Sequence, residues 1–280
     1  MNKNYRDKDW LYNEYVIKRK SIYSISDEQH VVPTTIWNWL YKLNIPSRGY
    51  NYRANHIKLN DKLIEFLNGE LLGDGCLHLR HNKSGVLVYT SKYSKYLKWL
   101  DSILKKHGIT RIGNDYKSSH KRWLKEGNYN LYHYYSKSYR ELKTLYDKWY
   151  LNNSKFCPYC EIEINKLEFK RCPVCNEHSL YKKIVPKDLK LTPITLRQWY
   201  IGDGSNYGKT SGIGFCTQAY LYRDIEFLLN KLRDLGFDGS ICKDKRIYIH
   251  MKYKNELLDY IGECPDEIND IYGYKWNRYE

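Results

Sequence analysis

Apolar residues recur at helical spacing in two stretches of the chain that end in the same three residues. In the first, apolar positions within Leu63–Leu71 fall on one face of a helix, and Gly73-Asp74-Gly75 follows. The second covers Leu196–Ile201 and ends at Gly202-Asp203-Gly204. The pattern predicts two helices, each leading directly into an aspartate that stands between glycines.

The first helix also carries two glycines, Gly69 and Gly73, on a strip separate from its apolar face. Because a glycine costs a helix roughly 1 kcal/mol relative to alanine, this strip predicts the close approach of another backbone. An aspartate is unfavourable at the carbonyl end of a helix, whereas carboxylates among carbonyls suit a divalent cation. A single Gly-Asp-Gly after a helix is more often only a C-terminal cap and turn. The second copy is what favours a functional site.

The segments that follow the two helices are also alike. After the first helix come a β-rich stretch and an amphipathic helix that ends near His107. The same order follows the second helix and ends near Leu235. The chain therefore contains one αββα-like unit twice, in halves that span 57–150 and 182–280.

These features resemble the single-chain, two-motif LAGLIDADG homing endonucleases. Leu67–Gly75 matches the nine-letter signature at its first and third positions and in its closing acid and glycine, and 191–204 resembles the usual second motif. Gln198 departs from the pattern, because a small residue normally packs the two motif helices together there, and Gly202 stands where Ala or Asp is usual. The resemblance implies an α+β fold of two pseudo-symmetric αββαββα-type halves with saddle-shaped antiparallel sheets.

The resemblance also implies an endonuclease that uses Mg²⁺ to hydrolyse both strands of a long, asymmetric DNA duplex. Each half would supply one aspartate. The implied metal-binding residues are Asp74, Asp203 and the adjacent Gly73 and Gly202. The other implied catalytic residues are Lys183, Lys275 and Gln218, the last of which matches a polar position near the metal-bound water. For both lysines the alternative is an ordinary solvated surface.

Composition favours an anionic polymer as the partner. The 280-residue chain has a formal net charge of +15, and its 47 Lys and Arg residues are spread along its length. Aromatic residues make up 16%, including 30 tyrosines, which suit contacts with sugars, phosphates and base edges. No apolar run approaches the ~20 residues of a membrane span, and no signal-peptide core is present. We therefore expect a soluble, cytoplasmic monomer that binds double-stranded DNA.

Residues 1–48 have the pattern of a separate small module with three helices. A proline at the start of the third helix, Pro33, and the short connection before it are typical of a helix-turn-helix. The residues expected to enter a DNA major groove are Thr34, Thr35, Asn38 and Lys42. The alternative is a three-helix bundle that packs on the rest of the chain. A linker at 49–56 would follow.

Residues 151–181 interrupt the duplicated pattern and contain two CxxC pairs. The pairs are Cys157 with Cys160 and Cys172 with Cys175, separated by a short spacer. Four thiolates in two such pairs predict a closed, tetrahedral structural Zn²⁺ site of the ribbon type. Two disulfides are the alternative, although nothing in the sequence indicates secretion. A basic ribbon at this place is expected to lie on DNA beside the core site.

Basic residues also follow the predicted strands of both halves, and the resemblance implies that these strands face the DNA major groove. The residues assigned to this surface are Arg80, Lys117, Arg122, Lys137, Lys243, Lys245 and Arg246. The alternative is a basic sheet face that is merely solvated. The rival to an endonuclease is a non-cutting DNA-binding regulator or an intron RNA maturase. Regulators of this kind have generally lost the acids, whereas this chain keeps both.

Overall fold

The computed structural model describes residues 4–45, 54–113, 117–124, 127–151, 154–165, 170–177, 180–209 and 211–278, without the side chains of 117–124 and 127–130. The chain divides into two compact units, Met1–Arg53 and Ala54–Glu280. The finer domain boundaries expected from the sequence stay predictions.

The first unit is helical. After a 3₁₀ turn, α1 (Lys8–Tyr12) continues into a π-helical turn, and α2 (Ile22–Glu28) and α3 (Pro33–Lys42) follow. Ser21 caps α2 by accepting a hydrogen bond from the Ser24 amide at 2.9 Å. The unit has its own apolar core, whose fully or almost fully buried members include Leu11, Ile25, Ile36 and Leu40.

The first half of the second unit has the predicted order of elements. The elements are α4 (Asp61–Leu72), β1 (Cys76–Arg80), β2 (Ser84–Ser91), α5 (Ser94–Lys106), β3 (Lys117–Leu124), β4 (Gly127–Tyr135) and α6 (Arg140–Trp149). The four strands form an antiparallel sheet in the order β1-β2-β4-β3.

The second half repeats this order. After the two short strands β5 (Lys155–Phe156) and β6 (Glu163–Ile164) come α7 (Pro193–Asp203), β7 (Gly204–Asn206), β8 (Ile213–Phe215), α8 (Tyr222–Asp234), β9 (Gly239–Ile241), β10 (Ile247–Ile249), α9 (Lys254–Ile261) and the short α10 (Asn269–Tyr272). Its antiparallel sheet has the matching order β7-β8-β10-β9. The predicted α+β fold with two αββαββα halves is confirmed.

One apolar core joins the two halves. Leu63, Leu67 and Leu71 of α4 are completely buried in it, as their helical spacing predicts, and so are Leu196 and Ile201 of α7. Helices α4 and α7 pack directly against each other, so the ends that carry the aspartates lie together. Within the described residues, no helix is long and apolar enough to span a membrane.

Candidate functional site

Helices α4 and α7 approach closely because glycines line their contact. A methyl carbon added to Gly69 would lie 2.3 Å from the Thr195 carbonyl oxygen and 2.6 Å from Gln198 Cβ. One added to Gly202 would lie 3.2 Å from the Asp74 amide nitrogen. The glycine strip on α4 therefore packs against the backbone of α7. This close contact is the use that the sequence predicted for glycines that destabilise a helix.

The structure also explains how Gln198 fits at a position where a small residue is usual. Its Cβ packs over Gly69, so the glycine on α4 provides the space that a small residue on α7 would otherwise provide. The Gln198 side chain is only 1% exposed, and its amide makes no hydrogen bond to any described residue. The close helix contact is kept at the cost of burying this amide.

The two aspartates stand side by side at the ends of the helices. Asp74 follows Gly73, the C-cap of α4, and is exposed, whereas Asp203 is the last residue of α7 and is half-buried. Burial raises the pKa of Asp203 to about 7, and the negative charge of Asp74 contributes to the rise. Burial also raises the pKa of Asp74. Asp203 is the less exposed of the two residues, and surrounding protein desolvates both carboxyl groups.

Each motif end also holds one lysine. Lys183 Nζ donates to the Gly75 carbonyl at 2.9 Å and, less closely, to the Gly73 carbonyl at 3.4 Å. Lys275 is 5% exposed, and its Nζ donates to the Ile201 carbonyl at 2.7 Å. Burial lowers the pKa of each lysine to about 8, while both aspartates oppose the shift. Both lysines thus stand within electrostatic reach of both aspartates, and neither is an ordinary surface lysine.

Gln218, which is predicted to lie near the metal-bound water, belongs to a turn that contacts the end of α7. Gln218 is exposed in the turn after β8, and the Cys216 amide of the same turn donates to the Asp203 carbonyl at 3.0 Å. Ser91, at the end of β2, is the residue of the first half that we expect to be equivalent to Gln218, and its hydroxyl accepts a hydrogen bond from the Tyr93 amide at 3.0 Å. The catalytic role of Gln218 stays a prediction.

Sequence reasoning did not single out Glu70, a buried acid on α4. Its Oε2 accepts a hydrogen bond from the Tyr96 hydroxyl at 2.7 Å, and its Oε1 is buried without a hydrogen-bond partner among the described residues. Its backbone carbonyl accepts from the Gly75 amide at 2.8 Å, beside Asp74. Burial raises the pKa of Glu70 to about 8. The signal that could have revealed it is an acid within an apolar run.

Glu70 gives the chain a testable dependence of stability on pH. Its pKa is higher in the folded state than the ordinary value of 4.5, so folding favours the protonated form. Protonated Glu70 thereby adds a few kcal/mol to the free energy of unfolding. This contribution is fully present below about pH 4.5 and is lost as pH rises through about 8. We expect Glu70→Gln to remove most of this decline, as measured by urea unfolding at pH 5, 7 and 9. Glu65→Gln on the same helix is the control, and parallel curves for wild type and Glu70→Gln would contradict the assignment.

The four cysteines of the CxxC pairs form one cluster, with all four Sγ atoms within 4.8 Å of one another. A tetrahedral zinc–thiolate site places sulfurs about 3.8 Å apart. The Sγ–Sγ distances of 3.5 Å between Cys157 and Cys175 and of 3.4 Å between Cys160 and Cys172 are near that value. All eight cysteines lie in described residues, and all are free thiols. The donor set therefore fits Zn²⁺.

The two CxxC turns have the same backbone hydrogen bonds. Cys157 accepts from the Glu161 amide at 3.0 Å and donates to the Ile162 carbonyl at 3.0 Å. Cys172 accepts from the Asn176 amide at 2.9 Å and donates to the carbonyl of residue 177 at 2.8 Å. We call these turns the first and second knuckle. Their shared geometry presents the thiols of both pairs to one centre.

The residues expected to contact DNA have different surroundings. Exposed side chains belong to Thr34, Asn38, Lys42, Arg80, Lys137 and Lys243, and Thr35 is half-buried. Arg246 pairs with Asp244 at 2.6 Å. Lys245 donates to the Pro158 carbonyl at 2.7 Å and pairs with Glu161 at 2.6 Å, so it is bound to the first knuckle. The side chains of Lys117 and Arg122 lie outside the described residues. The DNA contacts stay predictions.

Two relatives each match about two thirds of the chain. Cytochrome b mRNA maturase bI2 of Saccharomyces cerevisiae is 26% identical over 203 residues, which are 67% of this chain and 40% of that protein. An uncharacterized protein of Methanocaldococcus jannaschii is 26% identical over 188 residues, 66% of this chain and 61% of that protein. The chain thus spans about two fifths and three fifths of the lengths of these curated relatives.

A solved structure has the same fold. The homing endonuclease I-WcaI, bound to its DNA recognition sequence, aligns with a TM-score of 0.57 at 21% identity, over 80% of this chain and 89% of that one. The model of the LAGLIDADG DNA endonuclease family matches residues 64–166 and again residues 164–258, one match for each half. Together with the paired motif helices, these matches establish that the chain belongs to the LAGLIDADG DNA endonuclease family.

Proposed function

We propose that this chain is a site-specific DNA endonuclease that hydrolyses both strands of a long, asymmetric duplex in a Mg²⁺-dependent reaction. The observation that carries the proposal is the meeting of Asp74 and Asp203 at the ends of two closely packed helices, each beside a lysine whose Nζ donates to a carbonyl of the motif. Two equivalent half-sites, related by the internal repeat, suit the two antiparallel strands of a duplex.

The residues at this place fit a magnesium ion. Two accessible carboxylates and the carbonyls of Gly73 and Gly202 are hard oxygen ligands of the kind that Mg²⁺ prefers. The charge of Asp74 helps to raise the pKa of Asp203, and a divalent cation between the two would relieve this repulsion. When bound, the ion would polarise the scissile phosphate and lower the pKa of a bound water.

The remaining residues have roles that follow from their charge and position. Lys183 and Lys275 are cationic at neutral pH and would stabilise negative charge that develops on the phosphate. The amide of Gln218 would orient the attacking water. Asp74 would serve one strand and Asp203 the other, which predicts two cuts close together across the minor groove.

The first unit would extend recognition as a helix-turn-helix. Helices α2 and α3 pack together across a four-residue turn, and one exposed face of α3 carries Thr34, Trp37, Asn38, Tyr41 and Lys42. Trp37 is 51% and Tyr41 83% exposed, so this face presents two large rings beside its polar side chains. An amide, a hydroxyl, apolar rings and one cation suit a DNA groove.

We expect Asn38→Ala to weaken binding to the full target about fivefold or more, which is the usual cost of a lost base contact of 1–3 kcal/mol. Binding to a core duplex that lacks the flanking segment should not change. A gel-shift titration with both duplexes measures this difference. Asn13→Ala, an exposed amide on the π-helical turn, is the matched control. Equal losses on both duplexes would contradict a groove contact.

The cysteine cluster would hold one structural Zn²⁺. We expect the purified chain to contain about one zinc per molecule and Cys172→Ser to lose most of it, since all four thiolates are needed to close the site. Metal analysis of the two proteins measures this, and Cys242→Ser is the control that keeps its zinc. Titration of only four free thiols in the unfolded wild type would favour two disulfides instead.

The test of the proposed function is a duplex library built from intron-free versions of candidate host genes. The chain is incubated with the library with and without Mg²⁺, and the ends are sequenced. Discrete double-strand ends that need Mg²⁺ support the endonuclease and identify its target. Tight binding to one duplex without any Mg²⁺-dependent cut would favour a regulator.

A second candidate is an intron RNA maturase, favoured by the likeness to cytochrome b mRNA maturase bI2. A maturase can keep both aspartates, so the site itself does not separate the two functions. Its test is specific binding of the intron RNA, with faster splicing in the presence of the chain. Splicing that is unchanged by the chain would remove this candidate.

A further inference from the structure

The segment that contains the two knuckles is joined to the two halves by two antiparallel chain segments, which we call the neck (149–151 and 154–156 paired with 181–184). The Leu151 amide donates to the Lys182 carbonyl at 2.8 Å, and the Ile184 amide to the Trp149 carbonyl at 2.8 Å. Nearer the zinc cluster, the Phe156 amide donates to the Tyr181 carbonyl at 2.7 Å. The two segments of the neck are therefore paired on both sides of residue 183.

Lys183 joins the neck to the functional site. Its backbone forms a β-bridge with Tyr150 in the neck, and its Nζ donates to the Gly75 carbonyl at 2.9 Å, beside Asp74. A shift of the neck would consequently move this ammonium group relative to the aspartates. Displacements of about 1 Å at a reacting centre can cost a hundredfold in rate.

The first knuckle is attached to the second half through the Glu161 carboxylate and the Lys245 ammonium group. Both oxygens of Glu161 lie 2.9 Å from the Tyr222 amide at the start of α8, where a negative charge is favourable. Glu161 Oε1 also accepts from Lys245 Nζ at 2.6 Å, and the same Nζ donates to the Pro158 carbonyl at 2.7 Å. The contact thus joins three segments that are distant in sequence.

Both residues of this pair have left-handed backbone conformations. Glu161 has φ 60° and Lys245 has φ 68°. In the second knuckle the equivalent place is taken by Asn176, with φ 59°, and asparagine tolerates this conformation far better than glutamate. Lys245 lies in the turn between β9 and β10, at a place where hairpins favour glycine. At both positions a residue that is unfavourable in the left-handed conformation supplies a side chain to the contact between the first knuckle and the second half.

We propose that Glu161 and Lys245 form a clasp that fastens the first knuckle to the second half and thereby holds the neck and Lys183 in place. This inference rests on the proposed endonuclease function, within which Glu161 is a positioning residue. It gives Lys245 a partner within the chain rather than on DNA. It also gives the zinc-binding segment a role in catalysis besides any contact with flanking DNA.

The test compares full-length wild type with Glu161→Ala. We expect Glu161→Ala to keep its zinc, to exchange the amide hydrogens of residues 154–156 and 181–184 at least about fivefold faster, and to cut about tenfold more slowly with unchanged DNA affinity. The control is Glu177→Ala, which removes an exposed acid from the second knuckle and should change none of these quantities.

Lys245→Met provides the second variant. A clasp predicts that Lys245→Met repeats the loosened neck and that the effects of the two substitutions are less than additive in the double variant, because the ion pair between the two side chains is lost in all three variants. Unchanged exchange in the neck of Glu161→Ala would overturn the proposal. So would tighter DNA binding by Glu161→Ala with unchanged cutting, since that result means Lys245 was freed for phosphate. The exchange measurement needs no cleavage, so it remains decisive if the chain cuts no DNA.

Discussion

Replacement of Asp74 or Asp203 by asparagine is expected to lower the cleavage rate at least about a thousandfold, because a lost metal ligand removes several kcal/mol of stabilisation from the transition state. Affinity for the target should stay within about threefold or rise slightly, since removing a negative charge from the crevice does not weaken contact with phosphates. Single-turnover cleavage and a binding titration in Ca²⁺ measure the two effects separately.

The control for this pair of variants is Asp234→Asn, which makes the same chemical change on the exposed end of α8. It should leave both quantities unchanged. If either aspartate variant of the motif helices cut at more than about a tenth of the wild-type rate, that carboxylate would not be a metal ligand. If both variants instead lost binding, the aspartates would have a structural role only.

Gly69→Ala is expected to lower the free energy of unfolding by about 2–3 kcal/mol, although alanine favours a helix by about 1 kcal/mol over glycine. The added methyl carbon would stand 2.3 Å from the Thr195 carbonyl oxygen and 2.6 Å from Gln198 Cβ, and backbone atoms cannot turn aside. The helices must move apart, which also separates Asp74 from Asp203. Urea unfolding of Gly69→Ala beside Lys62→Ala, an exposed change on the same helix, measures the loss.

A Gly69→Ala variant as stable as wild type would mean that α4 and α7 do not touch at Gly69. A variant that is destabilised yet cuts at the wild-type rate would separate the packing of the helices from the geometry of the site. We expect neither, because the glycine strip and the aspartates belong to the same two helix ends.

Local patterns explain what the sequence could predict. The buried face of α4 follows from its leucine spacing, and the thiol cluster follows from two CxxC pairs, because each depends on residues close together in the chain. The repeat of the αββα unit indicated that the two motif ends are equivalent, and the packing of α4 on α7 confirmed their proximity. Lys183 and Lys275 were assigned by resemblance, and the structure places both beside the aspartates.

What the sequence could not predict depends on distant segments. Glu70 is buried only because Tyr89 and Tyr96 cover it from β2 and α5. Gln198 fits only because Gly69 faces it, so its departure from the family pattern cannot be judged from α7 alone. Lys245 was assigned to DNA because it lies among the basic residues of the second half, and its contact with Glu161, 84 positions earlier in the chain, depends on the fold.

The central claim is that two half-sites, one aspartate in each, cut the two strands of one duplex. The most direct measurement uses the target from the library, labelled differently on each strand, in a single-turnover time course with wild type and Mg²⁺. We predict that both labels are released at fixed positions a few base pairs apart, and that no product forms without a divalent cation. Release of only one label, or no release from a duplex that is tightly bound, would contradict the claim.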